Sequence, residues 1–133
     1  MPTSEEMEEI EFNILQIDRA IQKSVADNEY TLHRGIRDIK WLKNPIEGGT
    51  FTEDAFGSFT LSFNKAFGYS NPENLIMLRL KLDVGENVLY LDHGEKEMLR
   101  PRDSTYEITE IKDVFIETFN KMAKIYYIEI LKE

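Results

Sequence analysis

Two short stretches of this sequence carry residues whose types and spacing suit chemistry. The first is Glu95-Lys96-Glu97, followed by Met98-Leu99 and Arg100-Pro101-Arg102. Residues two apart on a strand point to the same side, so Glu95 and Glu97 would present two carboxylates to one cleft. Such a pair serves reactions in which a cation develops or a base is needed. Taken alone in an acidic protein, it reads more simply as a solvated charge cluster. The second stretch is His33-Arg34-Gly35, which ends a strand-like run with a guanidinium and then a glycine.

Other chemistries find little support. The chain has no cysteine, which removes disulfides, thiolate metal sites and cysteine nucleophiles. Its two histidines, His33 and His93, are far apart and lack metal-ligand spacing, so no metal is expected. Gly48-Gly49 is the one adjacent glycine pair, and no helix signal follows it as a phosphate loop requires. No serine lies in a Gly-x-Ser-x-Gly elbow. A formal net charge of −9 disfavours nucleic acid and anionic membranes as partners and suits a basic macromolecular target.

The elements that must position these residues follow from periodicity. Ile10, Ile14, Ile17, Ile21 and Val25 recur at helical steps, with Thr3 and Glu6 placed for a capping box and Asp27-Asn28-Glu29 as the stop. Tyr30 to Ile36 reads as a strand. Part of Phe51 to Phe63 reads as another. Leu75 to Val84 alternates, with Ile76, Leu78, Leu80, Leu82 and Val84 facing one way and Met77, Arg79, Lys81 and Asp83 the other. Val88 to Leu91, Ser104 to Ile111 and Ile125 to Leu131 are further strands. Val114 to Ala123 fits a helix through Phe115, Phe119 and Met122, and fits a hairpin through its β-branched content; the sequence leaves both open. A helix first and then strands, without βα alternation, predicts an α+β fold: an N-terminal helical segment over residues 1–28 and a mainly antiparallel, two-sheet core over residues 29–133, in one domain.

Taken in order, these pieces resemble the arginine-specific mono-ADP-ribosyltransferases of the bacterial binary-toxin and phage type, whose sites follow an Arg, Ser-Thr-Ser, Glu-x-Glu order. Leu15 to Ser24 is similar to the helix before the first motif, and Thr31-Leu32-His33-Arg34-Gly35 to the aromatic-Arg-Gly strand, with His33 in the aromatic place. Gly49 to Phe56 resembles the lead-in to the second motif. Thr60-Leu61-Ser62 is the preferred second motif, with Ser58-Phe59-Thr60 as the rival register. Gly94 to Ser104 resembles the Glu-x-Glu strand with its Pro-Arg exit, and Ile125 to Ile130 the closing strand.

The resemblance implies NAD as substrate, release of nicotinamide, and transfer of ADP-ribose to an accessible arginine on a target protein. Glu97 would stabilise the ribosyl cation and Glu95 would hold and help deprotonate the acceptor guanidinium. Arg34 would bind an NAD phosphate and Gly35 would allow close backbone approach. Thr60 and Ser62 would line the cleft, and Phe67, or Tyr69, would stack on the nicotinamide. An NAD glycohydrolase and a non-catalytic NAD-binding or interaction module of the same fold are the alternatives. The polar, acidic start is no signal peptide, so a cytoplasmic protein, acting in its own or a host's cell, is expected, and a chain of 133 residues can stand as a monomer.

Overall fold

The computed structural model describes residues 3–91 and 96–132, apart from the side chain of Trp41. Helix α1 spans Ser4–Lys23. Its start is the expected capping box: the Thr3 hydroxyl accepts from the Glu6 amide at 3.1 Å, and the Glu6 carboxylate accepts from the Thr3 amide at 3.2 Å. Its end comes four residues before Asp27, because Asn87 takes over the orphaned carbonyls. The Asn87 amide donates to the carbonyls of Ile21, Gln22 and Ser24 at 3.2–3.3 Å. Val25 therefore lies outside the helix. Only the C-terminal half of the apolar stripe meets the body of the protein: Ile21 is buried, Ile14 and Ile17 are half-buried and Ile10 is exposed. An ion pair between Asp18 and Arg102 fastens this half to the sheet.

Among the described residues eight strands follow: β1 (Tyr30–Ile36), β2 (Thr50–Glu53), β3 (Gly57–Thr60), β4 (Leu75–Leu82), β5 (Leu89–Leu91), β6 (Glu97–Arg100), β7 (Ser104–Ile116) and β8 (Lys121–Ile130). They hydrogen-bond in the order β2-β7-β8-β4-β1-β3-β6-β5. Every pairing is antiparallel except β4 with β8, in the middle of the sheet. A single register pair, His33 with Thr60, joins the five strands ending at β1 to the three strands β3, β6 and β5. The two portions then close over one core, in which Leu32, Leu78, Leu80 and Ile128 from the larger portion meet Phe59 and Met98 from the smaller. The expected two layers are thus halves of one bent sheet.

Strand β4 departs from the clean alternation expected of it. Ile76, Leu78, Leu80 and Leu82 face the shared core as expected. Met77 is fully buried too, in a second core with Leu75, Ala123, Ile125 and Ile116. A short helix, α2 (Phe63–Phe67), supplies Ala66 and Phe67 to that core and covers the outer face. Where both faces are covered, over residues 75–78, burial does not alternate; beyond it Arg79 is half-buried and Lys81 exposed, on the side expected of them. Val84 lies beyond the strand and is exposed. The ambiguous segment is a hairpin: β7 runs on to Ile116, a single tight turn covers Glu117–Phe119, and Asn120 takes the left-handed conformation that asparagine tolerates, at φ 52°.

Helix α2 sits so close to β1 that Gly35 has no room for a side chain. A Cβ there would lie 1.8 Å from the Ala66 carbonyl oxygen and 3.1 Å from the Ser70 amide nitrogen. Ser70 locks the same junction, donating to the Ile36 carbonyl at 3.0 Å and accepting from the Ile76 amide at 2.9 Å. Gly35→Ala is therefore expected to destabilise the fold by about 1–3 kcal/mol, the overpacking range, toward its upper end because the obstacle is backbone. The urea midpoint measures this, and an unchanged midpoint would contradict the packing described.

His33 occupies the joint of the bent sheet, paired with Thr60 on one side and Arg79 on the other. It is only 8% exposed, sits edge-on to Phe63 at 5.4 Å, and its Nδ1 makes no hydrogen bond. Burial, and secondarily the Arg79 charge, lowers its pKa from 6.5 to about 4. Between those two values the unfolded chain binds the proton that the folded chain refuses. Stability is therefore full above pH 6.5 and is lost as pH falls toward 4, by roughly 3 kcal/mol for a shift of this size. His33→Phe is expected to remove that part of the pH dependence in urea titrations between pH 7 and pH 4, and an NMR titration of wild-type His33 with a midpoint near 6.5 would refute it.

Candidate active site

A cleft of about 300 Å³ opens where β1 meets β3. His33, Arg34 and Gly35 line it from β1, and Ser58, Phe59 and Thr60 from β3; Glu97 of β6 and Tyr69 complete it. The pairing of β3 with β6 sets Ser58 opposite Leu99 and Thr60 opposite Glu97. These positions share a face, so the Ser58 hydroxyl reaches the Glu97 carboxylate and donates to it at 2.8 Å. The result is an oriented carboxylate, half-buried, at the wall of a cleft that also holds a guanidinium.

That guanidinium belongs to Arg34, whose side chain is 24% exposed. Its Nη1 donates to both oxygens of Glu53, at 2.7 Å to Oε1 and closer still to Oε2. The guanidinium carbon lies 5.7 Å from the centre of the Phe59 ring. Burial pushes the Glu53 carboxyl up from its usual pKa, while the charge and hydrogen bonds of Arg34 pull it back down. Glu53 escaped the sequence reading. Its signal is an acidic residue at an inward position of a short alternating strand, since Phe51 and Glu53 are the buried members of β2.

The structure brings Arg34, Gly35, Thr60 and Glu97 to one cleft and leaves Ser62 and Phe67 out of it. Strand β3 ends at Thr60, and Ser62 caps α2: its hydroxyl accepts from the Lys65 amide at 3.2 Å, while its own amide donates to the Thr60 hydroxyl at 3.0 Å. Thr60-Leu61-Ser62 is thus a strand end turning into a helix cap, and the register that sets two hydroxyls on the cleft is Ser58-Phe59-Thr60. Phe67 is buried in the second core, edge-on to Phe63 at 4.9 Å and Phe119 at 5.3 Å. Of Phe67 and Tyr69, it is Tyr69 that lines the cleft, along with Phe59. Gly35 lines the cleft, yet the close approach it permits is that of the Ala66 carbonyl.

Glu95 lies outside the described residues. Strand β6 starts at Glu97, and Lys96 before it is left-handed, at φ 53°. A non-glycine residue in that conformation, next to Glu97, is a local backbone strain. Among the described residues, no group of three His, Cys, Asp or Glu side chains is placed to hold a metal ion.

The model of the ADP-ribosyltransferase exoenzyme family matches residues 2–129. No curated protein matches the sequence. Among solved structures, the chain is similar to Plx2a, an ADP-ribosyltransferase toxin from Paenibacillus larvae, with a TM-score of 0.75 and 21% identity over 93% of this chain and 72% of that one. It is similar to C3stau2 from S. aureus, solved with NAD, with a TM-score of 0.71 and 20% identity over 95% and 73%. The enzymatic component C2-I of the C2 toxin from Clostridium botulinum gives a TM-score of 0.69 and 16% identity over 93% of this chain and 37% of that one. At these identities the structures show the shared fold, and the family model carries the assignment. The chain belongs to the ADP-ribosyltransferase exoenzyme family, for which NAD is the ADP-ribose donor.

Proposed function

We propose that this protein is a mono-ADP-ribosyltransferase that transfers ADP-ribose from NAD to an arginine side chain of another protein. The observation that supports it most is the hydrogen bond from Ser58 to Glu97 in a cleft shared with Arg34. Breaking the bond between the ribose C1′ and nicotinamide leaves the electron pair on neutral nicotinamide and positive charge on the ribose. A carboxylate beside that centre stabilises the charge as it develops, more strongly in a cleft than in open water. Glu97 takes this role, and Ser58 fixes its orientation. Arg34 binds the diphosphate through charge-assisted hydrogen bonds, which a guanidinium fork suits better than an ammonium. Tyr69 offers a ring at the mouth of the cleft.

The arginine preference rests on the residue types of Glu95-Lys96-Glu97. A guanidinium is always charged and is a poor nucleophile until something accepts its proton. A second carboxylate two residues before Glu97 pairs with the guanidinium, holds one nitrogen toward C1′, and takes the proton released as the new C–N bond forms. The acidic chain, at net charge −9, fits a basic target surface.

Glu97→Gln keeps the shape of the side chain and its contact with Ser58 but removes the charge. It is expected to lower nicotinamide release by about 10²–10³-fold, the usual loss for a group that stabilises transition-state charge. Glu95→Gln is expected to abolish transfer to agmatine, a small arginine mimic, while NAD hydrolysis persists. Near-normal nicotinamide release by Glu97→Gln would overturn the role of Glu97. Unchanged agmatine labelling by Glu95→Gln would overturn the arginine assignment.

A further inference from the structure

We infer that Glu53 is a positioning residue for NAD, holding the Arg34 guanidinium at the wall of the cleft in the orientation the diphosphate needs; this rests on the proposal that the cleft takes NAD. Strand β2 lies at the opposite end of the hydrogen-bonded order from β3, β6 and β5. Three residues, Asp54 to Phe56, carry the chain from β2 to β3 across the open end of the bent sheet. Glu53 therefore arrives at the cleft from behind, from the far edge of the larger portion, and meets Arg34 of β1 there.

The pair is asymmetric. The Glu53 side chain is 5% exposed and that of Arg34 is 24% exposed, so the carboxylate is the buried anchor and the guanidinium the end that faces the cleft. Both carboxylate oxygens lie on one nitrogen, Nη1. A guanidinium carries its N–H donors in one rigid plane, so a carboxylate seated on Nη1 restricts the orientation of the whole group. The Phe59 ring, 5.7 Å from the guanidinium carbon, borders the same group. A long, rotamer-rich side chain held in place loses less freedom when a ligand binds, which is where preorganisation raises affinity.

The same geometry allows an opposite effect, and the sign separates the two. An anion beside Arg34 also repels a diphosphate. If neutralisation governs, removing the Glu53 charge tightens NAD binding; if positioning governs, removal weakens it. The test is calorimetric titration of NAD into wild type, Glu53→Gln, Arg34→Gln and the double variant, with melting curves to confirm folding. Glu53→Gln is expected to raise the NAD dissociation constant about tenfold and to raise KM with kcat for nicotinamide release within about twofold, the split of a lost binding contact. In the Arg34→Gln background the same change is expected to add nothing, since Glu53 acts through Arg34. An unchanged or lower dissociation constant for Glu53→Gln, or a full further loss in the double variant, would overturn the inference. Should Glu53→Gln fail to fold, Glu53→Asp carries the test: it keeps the charge, withdraws the carboxylate by one methylene, and is expected to weaken NAD in the same direction. A wild-type protein that binds no NAD would overturn the functional proposal itself, and with it the role of Glu53.

Discussion

The pairing of His33 with Thr60 is the joint on which the cleft depends. Strand β1 brings Arg34 and strand β3 brings Ser58, but each belongs to a different portion of the sheet, and this is the register pair that connects them. Beyond it the strands diverge, and the space between them is the cleft. The joint is secured from outside by α2, whose Ala66 carbonyl fills the place where any residue but glycine at 35 would put its Cβ. The same helix covers the His33 ring, which is buried edge-on to Phe63 at its first residue. A neutral imidazole serves here because a second cation beside Arg79 would meet both desolvation and repulsion.

One guanidinium, Arg34, stands at the cleft with two carboxylates, Glu53 paired to it and Glu97 on the wall. A protein with net charge −9 places a guanidinium at the wall and must keep it from collapsing onto any nearby surface carboxylate. A buried carboxylate, Glu53, with a defined approach to one nitrogen answers that constraint. Burying a carboxylate costs free energy unless it is paired, so each partner stabilises the other's position. The arrangement makes the acidic residues of this chain serve two ends: Glu53 and Glu97 shape the cleft from inside, and the solvated majority set the charge that a target protein meets.

Much of this was legible in the residues, and the failures have physical causes. The capping box of Thr3 and Glu6, the strand carrying Arg34, and the α+β order follow from local rules, because helix ends and half-buried strands leave strong patterns. The hydroxyl motif was not decided locally. Ser58-Phe59-Thr60 and Thr60-Leu61-Ser62 alternate identically, and what separates them is where β3 stops, which Ser62 fixes by capping α2. Phe67 reads locally as a ligand-facing ring, and only its contact with one distant aromatic residue, Phe119, and its place beside Met77 show that it belongs to the second core. Lys96 takes a left-handed backbone without any glycine to announce it. Alternation marks Glu53 as an inward acidic residue, but its partner Arg34 lies on a strand distant in sheet order, which no local pattern shows.

The measurement that tests this account most directly is a crystal structure of the protein with NAD bound. The account expects the nicotinamide ribose against Glu97 and Ser58, the diphosphate on Arg34, and Glu53 still seated on the Arg34 guanidinium. NAD bound away from the cleft between β1 and β3, or bound there with Glu97 out of reach of the ribose, would contradict it.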